Sequence, residues 1–292
     1  MLVRIFTVWL AALAVMGTAV SATAQNAAEP SDEVVVLGKP LEDIVREFVG
    51  ELSGAPQADS QLARWDRRIC PGVYGLKDRQ TAERLIDRMA VRAFELELNV
   101  GEPGCSPDIM ILFTDNVSVL TAGLRRRLER VLNERNVSTF GRRELAAFVN
   151  SDAPVRWWTF ASTKSRLGLD IGPDLGVYDL SPSRVRPLTR QDMSKTLIVV
   201  DANLTRNLRV GALGDYLAMV SLAQINPEAE TAGYSTILNL FAGGSTEMTA
   251  WDKSYLEGLY GATRAARSIR QQEAEIRRTI MKDLDDTAAD GP

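Results

Sequence analysis

Two cysteines, Cys70 and Cys105, and not one histidine define the chemistry open to this chain. A thiol nucleophile needs a neighbouring base to form its thiolate, and the usual base is imidazole. Two thiols are also too few for a structural zinc site. In an oxidising compartment such a pair is most simply one disulfide, here spanning 35 positions. Serine hydrolysis without histidine would use lysine as the base, and Ser162-Thr163-Lys164 and Ser194-Lys195 supply candidate pairs. Neither has a companion motif of the penicillin-binding type. Paired carboxylates could do glycosidic acid and base work, with Asp201, Asp215 and Asp252 the nearest candidates. Acidic residues at strand ends and helix starts also serve as caps. The glycines are scattered, so neither a phosphate loop nor a dinucleotide fingerprint appears. Asn116, Asn136 and Asn203 open glycosylation triplets, a pattern short enough to arise by chance.

The elements that would position these residues follow from apolar spacing. Leu41, Ile44, Val45, Phe48 and Val49 recur at helical period and predict a short helix over 41–52, ending near Gly50 and Gly54. Residues 65–74 read as an irregular strand around Cys70, and 77–99 as a long helix with a stripe through Leu85, Ile86, Met89 and Ala93. The run Ile109 to Phe113, bounded by Asp108 and Asp115, predicts a strand covered on both faces. Helices are expected over 118–133 and 142–148, and strands over 155–162 and 197–200. Arg125-Arg126-Arg127 could gather an anion, but Glu129 and Glu134 nearby make it a solvated helix face. Residues 167–188 have the Gly and Pro density of an irregular excursion. A buried helix is predicted over 210–223, a turn or helical piece over 234–241, and a helix over 250–260 with Trp251, Leu256, Leu259 and Tyr260 facing inward. From Thr263 to Leu284 Arg alternates with Glu and Gln, which reads as a charged extension helix ahead of an acidic tail. Strands interleaved with helices give an α/β class, with α+β the alternative.

Residues 210–261 resemble the catalytic half of the metzincin metallopeptidases. Trp251-Asp252-Lys253-Ser254-Tyr255-Leu256-Glu257-Gly258-Leu259-Tyr260-Gly261 is similar to the helix that closes that half and ends in Leu-Tyr-Gly. Val210 to Ile225 then stands where the family carries its H-E-x-x-H-x-x-G-x-x-H helix, and Tyr234 to Leu238 near its methionine turn. The resemblance implies a zincin-like mixed sheet with packed helices. It assigns Asp215, Met219 and Ile225 to the three ligand positions and Tyr216 to that of the general base. It also puts the strand 196–201 where the family has its substrate-aligning edge strand. A zincin holds its metal with neutral imidazoles at i and i+4 and uses a carboxylate to deprotonate the bound water. Asp215 could offer one oxygen, Met219 is a weak soft ligand and Ile225 none, so these are degenerate positions. No catalytic, cofactor-binding or metal-ligating residue is therefore assigned, and zinc peptidase activity is disfavoured. The same helix reads equally as plain core packing by Leu213, Leu217, Val220, Leu222 and Ala223.

The chain opens with Arg4, an apolar run from Ile5 to Val20 and Ala22-Thr23-Ala24, the order of a cleavable secretory leader. Cleavage after Ala24 is expected, with export to the periplasm or the extracellular space. The expected organisation is a signal peptide over 1–24, a flexible leader over 25–40 that includes Val34-Val35-Val36-Leu37, one zincin-like α/β domain over 41–262, and the charged helix and acidic tail over 263–292. The mature 268 residues carry 33 basic and 38 acidic side chains, a net charge of −5. That balance argues against nucleic acid as a partner. No other apolar run approaches spanning length, so stable membrane insertion after cleavage is not expected. The expectation is an exported pseudo-peptidase that binds a peptide or an envelope protein without a cofactor. The alternatives are a metal-independent Ser/Lys hydrolase and a structural module in which helix 263–284 pairs with a partner or with itself.

Overall fold

Alternating apolar stretches with turn-rich punctuation fold here into a sheet with helices on both faces. The computed structural model describes residues 38–55, 61–132, 137–171 and 187–289. The expected signal peptide, the leader up to Leu37, and Asn136 lie outside them, as does most of the 167–188 excursion.

The helices are α1 (Leu41–Leu52), α2 (Arg79–Glu95), α3 (Val117–Val131), α4 (Arg142–Asn150), the short α5 (Ala202–Thr205), α6 (Val210–Leu222), α7 (Ala250–Gly261) and α8 (Ile269–Ala289). The strands are β1 (Pro71–Tyr74), β2 (Ile109–Thr114), β3 (Val137–Thr139), β4 (Val155–Ser165) and β5 (Thr189–Asp201). They form one mixed α/β sheet in the order β1-β2-β5-β4-β3. β1, β2 and β5 run parallel, while β4 is antiparallel to both β5 and β3. The expected fold class, mixed α/β with one disulfide, is what the chain adopts.

β2 explains the two-faced core. Its Ile109, Ile111 and Phe113 join the cluster under α2 and α6, whereas Met110 and Leu112 pack against the second cluster formed by α3 and α4. A strand covered on both sides needs apolar residues at every position rather than alternate ones. On the second face Trp158 is met edge-on by Phe140 and Phe148, at centroid distances of 5.5 and 5.9 Å. The first face is thicker, because α1, α7 and α8 pack outside α6 and bring Phe48, Leu256, Leu259, Ile276 and Ile280 into the same core.

Cys70 and Cys105 are joined, with Cα atoms 6.1 Å apart, just before the paired strand starts Pro71 and Ile109. The bridge therefore pins the beginnings of β1 and β2. Closing 35 positions stabilises by about 3 to 4 kcal/mol on loop entropy.

Two elements depart from the sequence reading. β5 extends back to Thr189, well beyond the apolar 197–200, because its polar first half pairs with β4 as far as Ser165 and with the bridge Arg64–Asp192. α8 is a layer of the core rather than a solvated extension. It packs along α7 and α1 and buries Gln272, Ile276 and Ile280, one helical stripe at i, i+4 and i+8.

Candidate functional site

α6 carries three of the positions that the metzincin resemblance singles out, Asp215, Tyr216 and Met219, the fourth, Ile225, follows its end, and all four are buried. Every residue from Ala212 to Leu222 is enclosed, because α2 covers one side of the helix and the sheet and α7 the others. Met219 and Ile225 have no exposed surface, and Trp157 donates its indole N–H to the Ile225 carbonyl at 3.0 Å. Tyr216 packs edge-on against Phe241, centroids 5.1 Å apart, and burial pushes its phenol up from the ordinary range.

Asp215, with 0% exposure, is the chemically notable member. Arg88 donates Nε and Nη2 to its two oxygens at 2.7 Å each, and Arg92 donates Nε at 2.8 Å and Nη2 at 3.2 Å. The Met248 amide adds a fifth hydrogen bond at 3.0 Å. Arg88 and Arg92 sit one turn apart on α2, so both guanidinium groups reach the same carboxylate. Gly214 makes this approach possible, since a Cβ there would stand 2.8 Å from Arg88 Cβ. Arg92 also holds Glu95 at 2.8 Å, so the four groups balance to zero charge. Burial raises the Asp215 carboxyl, but the Arg92, Arg88 and Met248 hydrogen bonds outweigh it and hold the group below the ordinary aspartate range.

Asp252 is a second buried carboxylate with separate partners. Thr236 Oγ1 donates to it at 2.5 Å, Ile237 N at 2.7 Å, and Thr249 N and Oγ1 at 2.9 Å each. Burial is the larger influence here and raises its carboxyl. The consecutive amides of Met248 and Thr249 thus go to Asp215 and Asp252: the first ties α6 to the start of α7, and the second caps α7 itself. Asp201 instead caps α5, accepting from Asn203 N at 2.8 Å and Leu204 N at 3.3 Å. The three candidate glycosidic carboxylates are therefore each committed within the fold: Asp201 to the start of α5, Asp252 to Thr236, Ile237 and Thr249, and Asp215 to Arg88, Arg92 and the Met248 amide.

The strand 196–201 is not an edge. β5 is hydrogen-bonded to β2 on one side and to β4 on the other, which corrects the edge position implied by the metzincin resemblance. The reason is topological: β1 and β2 extend the sheet beyond β5 on one flank, while β4 and β3 extend it on the other.

The serine and lysine candidates converge elsewhere. Ser162, Lys164 and Ser194 all line a cavity of about 280 Å3 at the polar end of the β4/β5 ladder, together with Asp66, Arg67 and Asp192. Ser162 and Lys164 are two apart on one strand and so share a face. A bulge after Phe160 makes Ser194 the extra residue of β5, and its hydroxyl donates to the Phe160 carbonyl at 3.2 Å. Lys164 is ion-paired with Asp170. Lys195 is exposed on the outer side.

The two lining carboxylates, Asp66 and Asp192, belong to an ion square that no local pattern in the sequence announces. Arg190 contacts Asp66 and, at 3.0 Å, Asp192. Arg264 meets the same two carboxylates at 2.6 and 2.9 Å. Arg64, 6% exposed, donates to the Leu259 carbonyl and lies 5.8 Å over the Tyr260 ring. Desolvation, and then the charge of Arg264, lower it to about 10. These partners lie far apart in the sequence, Asp66 and Arg264 on either side of most of the domain, and the polar run 189–195, with only Met193 apolar, gave no local sign of them.

Among the described residues no three His, Cys, Asp or Glu side chains gather as a metal-binding group, and no helix is long and apolar enough to cross a membrane. Comparison with known proteins finds no matching family model, no matching curated protein and no matching solved structure.

Proposed function

We propose that the chain is an exported, catalytically inactive protein on a zincin-like scaffold, and that it acts by binding a peptide or an envelope protein. The observation that carries this reading is the arginine clamp on Asp215. A working zincin needs its helix to present ligands to an open cleft where substrate and metal-bound water meet. Here the corresponding carboxylate is sealed and charge-balanced by Arg88, Arg92 and Glu95, so the position holds α2 against α6 instead. The order of the antiparallel β4, β5, a buried helix, a turn and a helix ending in Leu-Tyr-Gly supports the zincin ancestry. The interior place of β5 weighs against a bound peptide aligned along 196–201. Export is supported by the leader pattern of residues 1–24 and agrees with the Cys70–Cys105 bridge.

The test measures zinc stoichiometry after equilibration with zinc and dialysis, alongside turnover of a broad peptide library. The expected result is no retained stoichiometric zinc and no cleavage. Retained zinc with turnover, both lost in Asp215→Asn while the fold persists, would overturn the reading. Expression with the native leader, followed by N-terminal sequencing of the exported product, is expected to give Gln25 as the first residue.

A further inference from the structure

The polar cavity on β4 and β5 has walls of both charges, but their internal pairing is uneven. Asp66 and Asp192 are each met by both Arg190 and Arg264, so that square is self-neutralising. Arg64 stands behind it as a further buried cation whose hydrogen bond goes to a carbonyl. Two more cations border the opening. Arg67 is steadied by the Ser194 carbonyl at 3.0 Å and lies a loose 3.7 Å from Asp108. Lys164 pairs with Asp170, whose 81% exposure leaves that attraction screened by water. Ser162, Gly168, the buried Met193 and Ser194, whose hydroxyl donates to the Phe160 carbonyl, complete the lining.

We propose that this cavity is a carboxylate-binding site, with Arg67 and Lys164 as its charged donors and the Ser162 hydroxyl as a neutral one. An arginine, a lysine and a serine whose hydroxyl is not committed to the backbone line one small volume, which suits a single compact anion with two acceptor oxygens. The volume of about 280 Å3 is at the low end for ligand pockets, which suits one terminal residue or a small organic acid. The shared chemistry is the carboxylate, either the C-terminus of a peptide or a small free acid. The site is distinct from α6, so it stands or falls independently of the ancestry proposed for that helix.

Calorimetric titration of the mature chain at low salt tests it, with Ala-Ala-Ala, its C-terminal amide and acetate as probes. The acid tripeptide is expected to bind and its amide to bind about tenfold or more weakly, the loss of one charge-assisted contact. Arg67→Gln and Lys164→Gln should each weaken binding about tenfold while leaving the melting temperature unchanged, because neither residue belongs to the core. Asp170→Asn should strengthen binding severalfold, since it removes the carboxylate that competes for Lys164; a merely structural pair would not behave so. Acetate matching the tripeptide assigns a small free acid, and a tripeptide advantage assigns a peptide terminus. Three results would each overturn the site: no saturable heat from any probe up to about 10 mM, equal binding of acid and amide, or unchanged affinity in both charge variants.

Discussion

Replacing Asp215 by asparagine removes one charge and half the acceptors while keeping the shape. Five hydrogen bonds converge on this carboxylate, four of them from guanidinium groups. In Asp215→Asn the new amide N–H groups face arginine donors, and Arg92, 6% exposed, is left with only Glu95. Breaking a buried pair by removing one partner costs about 3 to 5 kcal/mol. Arg88 is 32% exposed and partly rehydrated, which argues for the lower end, about 3 kcal/mol. For a chain of this size that lowers the melting temperature by roughly 6 to 12 °C. Circular dichroism melts and urea titrations at neutral pH measure it. The acid limb gives a second reading: the folded Asp215 carboxyl lies below its unfolded value of about 3.9. Its stabilisation is therefore fully present above about pH 4 and is lost as pH falls through the depressed value, a slope that Asp215→Asn should lack. Replacing Asp215, Arg88 and Arg92 together by leucine should recover most of the loss, because no buried charge remains and the Glu95 left behind is 41% exposed to water. A neutral-pH loss below about 0.5 kcal/mol for Asp215→Asn would refute the reasoning.

Other consequences are more briefly stated. Gly214→Ala drives a methyl to 2.8 Å from Arg88 Cβ and should cost about 1 to 3 kcal/mol by the same melts, despite alanine's better helix propensity. Cys70→Ser should lower stability by about 3 kcal/mol in oxidising buffer, and wild-type protein with reductant should match it. Asp252, whose carboxyl is raised by burial, favours the protonated folded state. Its contribution is largest below the unfolded value and declines as pH rises through the folded one, so the acid-side gain should be missing from Asp252→Ala. A fluorophosphonate probe should leave Ser162 and Ser194 unlabelled, since Lys164 is paired with Asp170 rather than with a serine, and the Ser194 hydroxyl donates to the Phe160 carbonyl.

Legibility in the sequence followed the reach of each interaction. α1 and α7 were readable nearly to the residue because a helical apolar stripe is a local pattern. The Cys70–Cys105 pairing needed only a count of two. The polar start of β5 was not readable as strand. Arg190 and Asp192 are buried there through partners at Asp66 and Arg264, and no window on the chain contains both sides of that square. α8 misled for a different reason: its stripe of Gln272, Ile276 and Ile280 is narrow and set among charges, so composition outweighed period. Asp215 stood out by its place on α6, but the arginines that settle its role lie more than 120 positions upstream.

The buried carboxylates also bear on where a partner can bind. Asp215 on α6 accepts from the Met248 amide just ahead of α7, and Asp252 on α7 accepts from Thr236 and Ile237 in the segment after α6, so movement of α7 away from α6 and that segment would strip hydrogen bonds from both. Opening a cleft between those helices would expose two carboxylates that burial has matched to fixed donors, a cost of several kcal/mol before any ligand contributed. The cavity beside Ser162 carries no such penalty. Arg67 and Lys164 already border solvent, and the square behind them stays paired whether the cavity is filled or empty. Binding energy spent there need not be diverted into prising the core apart. On these grounds affinity should respond to Arg67 and Lys164, and stability to Asp215 and Asp252, with little crossing between the two sets.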